Sequence, residues 1–228
     1  MQKRHLALLF IVLVVSSASA AVAAPAAGDT YVYRVLNAYN NEVRGQVTYR
    51  VDNVDADRVT VSVSPDHPSL GVPHTDVFTR DDNWLRHPLI NHDMPVEYNF
   101  SPAYPAYMSP LDPGKSWSMR VSAINPTSGR RNSVRVDGDV LGTERITTPA
   151  GAFDTIKVKR KVYAGDWDGF TFETNIVETD WYAPALGRPV RTERNSSYID
   201  PQKCAASSAC APIRGDWNVF ELVTYSRK

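Results

Sequence analysis

Histidine and aspartate side chains are concentrated in one Pro-rich stretch of the sequence, and imidazole with carboxylate is a ligand set typical of zinc sites. Residues 66–93 of this stretch hold four histidines and five aspartates, namely His67, His74, His87, His92, Asp66, Asp76, Asp81, Asp82 and Asp93. Their spacing fits no ligand series, because no helical His-Glu-x-x-His pair occurs and a proline follows both His67 and His87. We therefore expect solvated loop histidines, and we predict neither a metal nor a cofactor.

Other arrangements that could support catalysis are weaker. Neither Gly-x-Ser-x-Gly nor Ser-x-x-Lys occurs in the sequence. Glu173 with Glu178 or Asp180 could flank a glycosidic bond, but strand alternation puts Glu173 on the opposite face. The aspartate-rich runs 52–57 and 166–169 lack the ligand series of a calcium loop, so both are predicted as turns. We predict no catalytic residue.

Aromatic side chains are the better candidates for binding. Four of them alternate with prolines after residue 97, and such an extended segment either lines an apolar groove or covers the core as a lid. The predicted ligand-binding set adds two tryptophans from the strands that follow and consists of Tyr98, Phe100, Tyr104, Tyr107, Trp117 and Trp181. A core lid remains the alternative interpretation.

The N-terminal residues predict export. Lys3 and Arg4 precede an apolar run over 6–15, and Ala18-Ser19-Ala20 supplies small residues at a cleavage site. Ten helical residues rise about 15 Å, roughly half of a bilayer's hydrocarbon thickness, so this run is too short to remain as an anchor. We predict a signal peptide over 1–20, and the latest cleavage site that the sequence offers follows residue 24. The mature protein is predicted to be periplasmic or secreted and to have no transmembrane span.

The sequence has two cysteines, Cys204 and Cys210, which enclose five residues. Redox pairs usually enclose two residues and zinc pairs two to four. In an oxidising compartment the short loop is therefore predicted to close as a structural disulfide.

Hydrophobic residues alternate with polar ones through most of the remaining chain. Apolar residues, mostly valines and aromatics, occupy most of the alternate positions over 31–35, 43–51, 59–63, 117–121, 134–140, 156–162, 170–176 and 217–225. This period of two predicts half-buried strands, and no window has the spacing of a long amphipathic helix. We predict an all-β fold with little helix, formed by a single curved antiparallel sheet that is a half-barrel or an open barrel.

Domain boundaries follow from the same pattern. We predict a flexible N-terminus over 21–29 and a single β domain over 30–228. Nine of the 16 prolines lie between Pro65 and Pro113. Because proline interrupts the hydrogen-bond ladder of a central strand, we predict a Pro-rich irregular excursion over 65–113.

Charge excludes one class of partner. The 25 Lys and Arg residues balance the 25 Asp and Glu residues, and no basic block occurs. Nucleic-acid binding requires a surplus of basic side chains on one face. We predict no nucleic-acid partner.

Three short motifs suggest a family. They are Pro110-Leu111-Asp112-Pro113-Gly114-Lys115-Ser116-Trp117, Thr148-Pro149-Ala150-Gly151-Ala152-Phe153-Asp154-Thr155 and Asp180-Trp181-Tyr182-Ala183-Pro184-Ala185-Leu186-Gly187. In this order they resemble a family of exported proteobacterial proteins of unknown function, over roughly residues 28–198. The resemblance implies a curved sheet around an apolar interior, similar to the half-barrel of the periplasmic lipoprotein-localisation carriers. It implies no catalytic residues.

These observations lead to a functional hypothesis with two alternatives. We expect a non-enzymatic envelope protein that binds an apolar or amphipathic ligand, such as a lipid, or an envelope protein partner on its curved sheet. One alternative is a metal-dependent hydrolase of envelope polymers that acts through the cluster between His67 and His92. The other is a structural subunit of an envelope assembly.

Overall fold

The structure is a computed structural model that describes residues 22–89, 97–164, 174–199, 204 and 211–228. The described residues form twelve strands and one short 3-10 helix: β1 (Thr30–Asn37), β2 (Glu42–Val54), β3 (Arg58–Pro65), η1 (Pro68–Leu70), β4 (His74–Thr79), β5 (Trp84–Pro88), β6 (Glu97–Tyr104), β7 (Ser116–Ile124), β8 (Arg131–Thr148), β9 (Gly151–Ala164), β10 (Thr174–Ala183), β11 (Arg188–Tyr198) and β12 (Ile213–Ser226).

The strands form a closed antiparallel barrel. Each strand pairs with its neighbours in the sequence, and β1 pairs with β12 from Thr30↔Ser226 to Asn37↔Asn218, which closes the sheet on itself. The predicted all-β antiparallel fold is confirmed, whereas the predicted half-barrel or open sheet is wrong. Alternation within a strand predicts which side chains face inward, but it carries no information on whether the first and last strands meet.

The stretch predicted as an irregular excursion instead contributes part of the barrel wall. It contains β4, β5 and β6, which pair in order between β3 and β7. The prolines fit because they lie where the ladder stops: Pro65 ends β3, Pro88 ends β5, and β6 pairs with β7 through Ser101 and not at Pro102.

Residues 22–29 lie against one end of the barrel, although they were predicted as a flexible N-terminus. Ala23 N–H donates to the Pro184 carbonyl at 2.8 Å, and Gly28 N–H donates to the Val51 carbonyl at 2.7 Å. The buried carboxylate of Asp29 accepts from the backbone N–H of Lys228 at 2.9 Å. The two ends of the described chain are therefore tied together beside the same end of the barrel.

Several predictions concern residues that the structure leaves undescribed. The signal peptide, the turn at 166–169, Glu173 and Cys210 lie outside the described residues, so the Cys204–Cys210 disulfide stays a prediction. Within the described part of the chain, no helix combines the length and the apolar character that crossing a membrane requires.

Candidate functional site

Arg160 lies inside the barrel because strand alternation puts it there. On β9, residues 158, 160 and 162 face inward, and Arg160 is 1% exposed between two buried valines. Its guanidinium uses all three nitrogens. Nε donates to Glu178 at 3.1 Å, Nη2 to Asp180 at 2.7 Å and Nη1 to the Ala106 carbonyl at 3.0 Å. A buried cation with this many partners is a fixed part of the interior.

The two carboxylates that pair with Arg160 come from alternate positions of β10. Glu178 is also 3.2 Å from Arg194 Nε, and Asp180 accepts from the Tyr107 and Thr192 hydroxyls, both at 2.6 Å. Burial alone would raise the pKa of Glu178, but the charges of Arg160 and Arg194 outweigh burial and lower it. The Glu178 carboxyl therefore stays ionised at neutral pH.

Two tyrosines complete this network as neutral donors. Tyr104 donates to Glu178 at 3.3 Å, and its ring stacks on Trp84 with centroids 4.3 Å apart. Burial, followed by the nearby carboxylates, raises the pKa of both Tyr104 and Tyr107 well above the ordinary value. Their hydroxyls stay protonated and donate to the carboxylates.

A second buried carboxylate lies between two histidines. Asp76 is 0% exposed, and its oxygens lie 3.0 Å from His87 Nδ1 and 3.5 Å from His74 Nε2. His67 lies apart from them, where it caps η1 through Ser69. In the ranges that the structure describes, no group of three His, Cys, Asp or Glu residues could hold a metal ion. His92 and Asp93 lie outside those ranges.

Arg188, the first residue of β11, is the cation that differs from the others. Its guanidinium carbon lies 5.0 Å from the centroid of the Tyr31 ring, 5.1 Å from Tyr49 and 6.0 Å from Phe78. No described carboxylate lies within 4.0 Å of its guanidinium nitrogens.

Arg188 keeps its charge despite this setting. Burial alone would lower its pKa, but Tyr33 and Asp82 outweigh burial and raise the pKa above the ordinary value. The interior therefore holds a permanent cation that ring faces surround and no described carboxylate pairs with.

A cavity of about 120 Å³ lies beside Arg188, and we call it the Arg188 chamber. Water needs roughly 10–15 Å³ of such space per molecule, so the chamber has room for several waters or for one small organic molecule. Aromatic and charged side chains line it together, among them Tyr33, Tyr49, Phe78, Trp84, Asp76, Asp82, Arg160, Glu178, Asp180, Arg188 and Arg194.

Asp82 stands between this chamber and a second cavity. The second cavity measures about 260 Å³, and residues 22–25 with the turns after β4 and β10 enclose it at the end of the barrel. Asp82 and Tyr107 line both cavities. Asp82 has φ 59°, a left-handed conformation that non-glycine residues rarely adopt and that is enriched at functional sites.

The ionisation of Asp82 is also displaced. Burial raises the pKa of Asp82 to about 6, although Arg188 and a hydrogen bond from Tyr182, at 3.4 Å, act in the opposite direction. Its carboxyl therefore changes charge close to neutral pH, beside the Arg188 chamber.

The predicted ligand-binding set is divided among three environments. Tyr107 lines the chamber, whereas Tyr98, Phe100 and Tyr104 are buried in the core. Trp117 packs on Gly138 and donates to the Pro105 carbonyl at 3.1 Å. Trp181 faces outward between Lys157 and Arg191, which lie 4.7 and 5.2 Å from its ring.

The arginines of the interior were missed by the sequence analysis, although one signal was available, whereas the carboxylates Glu178 and Asp180 were named there as possible catalytic partners of Glu173. The inward face of β9 was recognised from Ile156, Val158 and Val162, and position 160 belongs to the same face. Arg188 carried no such signal, because it follows the turn Pro184–Gly187 and begins a strand.

The fold defines a class of protein: a closed antiparallel β-barrel whose interior contains a charged chamber. The chain belongs to the DUF3108-like family, which matches residues 28–198. This confirms the resemblance to a β-protein family of unknown function. The family match gives no support to a proteobacterial origin or to a specific similarity with the lipoprotein-localisation carriers. The barrel is closed, whereas the similarity to those carriers implied a half-barrel.

Two solved structures are similar in fold. One is a protein of Parabacteroides distasonis described as a lipoprotein, with 17% identity and a TM-score of 0.52, over 92% of this chain and 100% of that one. The other is a protein of Bacteroides fragilis described as exported, with a YmcC-like fold, 18% identity and a TM-score of 0.50, over the same shares. At these identities the likeness concerns the fold alone. No curated protein sequence matches the chain.

Proposed function

We propose that this protein is an exported, non-enzymatic binding protein that holds a small amphipathic ligand in the Arg188 chamber. One observation carries the proposal: Arg188 is a charged side chain that faces an internal cavity and has no ion pair with a described carboxylate. Arg188 is half-buried and is attracted to Asp82 without a direct ion pair, and a ligand with a complementary group would give its guanidinium a direct partner.

The character of the chamber favours an amphipathic ligand over a purely apolar one. Its lining combines ring faces with the charged groups of Arg188 and Asp82. An acyl chain would leave those charges without water or partners, and about 120 Å³ is little space for a lipid tail. Of the two kinds of ligand expected from the sequence, apolar and amphipathic, the chamber therefore favours a small molecule that has both an apolar and a polar part.

The interior offers little support for catalysis. Glu178 and Asp180 accept from arginine, tyrosine and threonine donors, so neither carboxylate is free to transfer a proton. The hydrolase alternative depends on a cluster in which His67 lies apart from His74 and His87. Export is supported by the predicted signal peptide and by similar folds described as a lipoprotein and as an exported protein.

Native mass spectrometry tests the proposal. Protein purified without denaturation from an exporting host should carry an added small mass, which methanol extraction releases for identification. The matched control is Arg188→Met, which should return at the mass of the bare chain. A bare mass for the wild-type protein, with no thermal shift in a panel of small amphipathic molecules, would contradict the proposal.

A further inference from the structure

We infer that the ligand is a small organic monoacid, whose carboxylate binds Arg188 while its apolar body lies against the rings of Tyr49 and Phe78. This inference rests on the proposed function and specifies the chemical class of the ligand. Neither the family nor the solved structures similar in fold assign a ligand or a residue to this chamber.

The first argument is the way in which Arg188 is held. Tyr31, Tyr49 and Phe78 surround its guanidinium at 5.0, 5.1 and 6.0 Å between the guanidinium carbon and the ring centroids. Aromatic rings satisfy the face of a guanidinium, and apart from the contact with the Tyr33 hydroxyl the N–H groups at its edge have no described side-chain partner. Two parallel N–H groups match two oxygens of a carboxylate, as they also match two oxygens of a phosphate.

The second argument is that the neighbouring cations are already engaged. Arg160 is paired with Glu178 and Asp180, and Arg194 Nε is paired with Glu178 at 3.2 Å. Of the arginines that line the chamber, Arg188 is the one without an ion pair to a described carboxylate. An incoming anion would therefore meet Arg188 as its partner and would not have to displace an existing ion pair.

The third argument limits the ligand to one negative charge. Four carboxylates line the same chamber, namely Asp76, Asp82, Glu178 and Asp180. Each of them repels an anion in a setting where water screens charges poorly. Arg160 and Arg194 offset Glu178 and Asp180, and Arg188 is also attracted to Asp82. A monoanion therefore meets one cation that has no direct ion pair, whereas a dianion would bring a second charge that no remaining cation neutralises. A phosphate monoester or a dicarboxylic acid is therefore a poorer fit than a monocarboxylic acid.

The fourth argument concerns the apolar body of the ligand. The chamber is lined by the rings of Tyr33, Tyr49, Phe78 and Trp84, of which Tyr49 and Phe78 contact Arg188. A flat or short apolar group can pack on these rings. The size of the chamber, about 120 Å³, favours an aromatic or short-chain acid.

Three matched probes test the charge requirement on the wild-type protein at pH 8: benzoate, its neutral isostere benzamide, and the dianion phenylphosphonate. We expect benzoate to bind about tenfold more tightly than benzamide, which corresponds to about 1.4 kcal/mol for a charge-assisted contact. Phenylphosphonate should bind more weakly than benzoate. Ligand-observed NMR and isothermal titration calorimetry provide the dissociation constants.

Variants assign the effect to Arg188. Arg188→Met should remove the preference for benzoate over benzamide, and Arg188→Lys should keep part of it, because lysine retains the charge but not the paired N–H groups. Arg214→Met is the matched control, since Arg214 is exposed on β12 and its loss changes the net charge equally. The control should bind benzoate as the wild type does.

The outcomes separate this inference from the proposed function. Equal affinities for benzoate and benzamide, or unchanged benzoate binding in Arg188→Met, would overturn the inference while the chamber remained a binding site. Binding of none of the probes, together with a bare native mass, would overturn the proposed function as well. If Arg188→Met fails to fold, the three probes on the wild type and the Arg188→Lys variant still decide the question.

Discussion

The Arg160 guanidinium lies 2.7 Å from the Asp180 carboxylate inside the barrel, where the side chains are 2% and 3% exposed. Two anions share this cation, because Glu178 is bound to the same guanidinium at 3.1 Å. Arg194 supplies the second positive charge. The network therefore balances its own charges within the barrel, and its integrity depends on every member being present.

Replacing Arg160 with Met should strongly destabilise the protein. The substitution leaves two buried carboxylates that have lost their main partner, and breaking a buried pair in this way costs roughly 3–5 kcal/mol. Urea unfolding followed by circular dichroism measures the loss. Arg34→Met is the matched control: the more exposed Arg34 pairs with Glu221 across neighbouring strands, so its loss should cost under about 1 kcal/mol. Equal costs for the two variants would show that the interior network contributes no special stability.

Asp82→Asn should stabilise the protein above pH 6 and have little effect below pH 4. Burial raises the pKa of Asp82 from 3.8 to about 6, so the folded state holds this proton more tightly than the unfolded state. The stability that the protonated carboxyl contributes is complete below pH 3.8 and is lost as the pH rises through about 6.

The variant should therefore gain roughly 1–2 kcal/mol at pH 8, after allowance for the partial exposure of the side chain. Asparagine also tolerates the left-handed backbone at this position. Thermal unfolding at several pH values measures the difference, and Asp81→Asn serves as the control because its side chain is exposed. A gain in stability that is the same at pH 4 and at pH 8 would show that the pKa of Asp82 is not raised.

Gly138→Ala should destabilise the barrel through Trp117. The Trp117 ring covers Gly138 so closely that a Cβ has no room, and the ring would have to move. Overpacking of this kind costs about 1–3 kcal/mol. The double variant Gly138→Ala with Trp117→Leu should recover part of the loss, because the smaller side chain frees the space. Thermal unfolding and tryptophan fluorescence report both effects, and a double variant that is no more stable than Gly138→Ala would contradict this account.

Trp181→Leu should reduce stability without affecting ligand binding. Trp181 packs between Lys157 and Arg191 on the outer wall and donates to Glu144 at 2.6 Å, so its loss removes contacts worth about 1 kcal/mol or more. The benzoate titration is the measurement for binding. A clear loss of affinity in a folded Trp181→Leu variant would return this residue to the ligand site that the sequence analysis proposed.

Gly187→Ala should loosen the N-terminal segment 22–25. Gly187 has φ 66°, and a Cβ there would collide with the carbonyl of Ala23. Both effects oppose alanine, whose cost in a left-handed conformation is about 1–2 kcal/mol. Hydrogen exchange at the Ala23 amide, which bonds to Pro184, should become faster while the amides of β9 keep their protection. Unchanged exchange at Ala23 would show that the segment does not depend on this contact.

The strands were largely predictable from the sequence, because inward and outward side chains alternate wherever one face of a sheet is buried. The hairpin of β2 and β3 is an example: its turn was predicted over 52–57 and lies at 55–57, because β2 continues to Val54. The strands β4 to β6 were missed because their prolines argue locally against a ladder. Proline is nevertheless compatible with a barrel wall where it falls at the ends of pairing.

The candidate site was much less predictable. The alternation on β9 contained the information that Arg160 faces inward, but a charged residue at a core position looks unfavourable until its partners on β10 are known. The aromatic set was chosen by type and proximity in sequence, and that choice grouped Tyr107 with the outward-facing Trp181. Proximity along the chain does not report which face of a wall a side chain occupies.

The sequence by itself determined an antiparallel β protein, because a period of two specifies one buried face in strand after strand. Only the tertiary structure decided that the sheet closes, since the pairing of Tyr31 with Tyr225 joins residues from the two ends of the chain. Closure then decided the chemistry of the interior. Once the wall surrounds them, the charges of Arg160 and Arg194 must neutralise those of Glu178 and Asp180, and Arg188 is left facing a chamber without a direct ion pair to a described carboxylate.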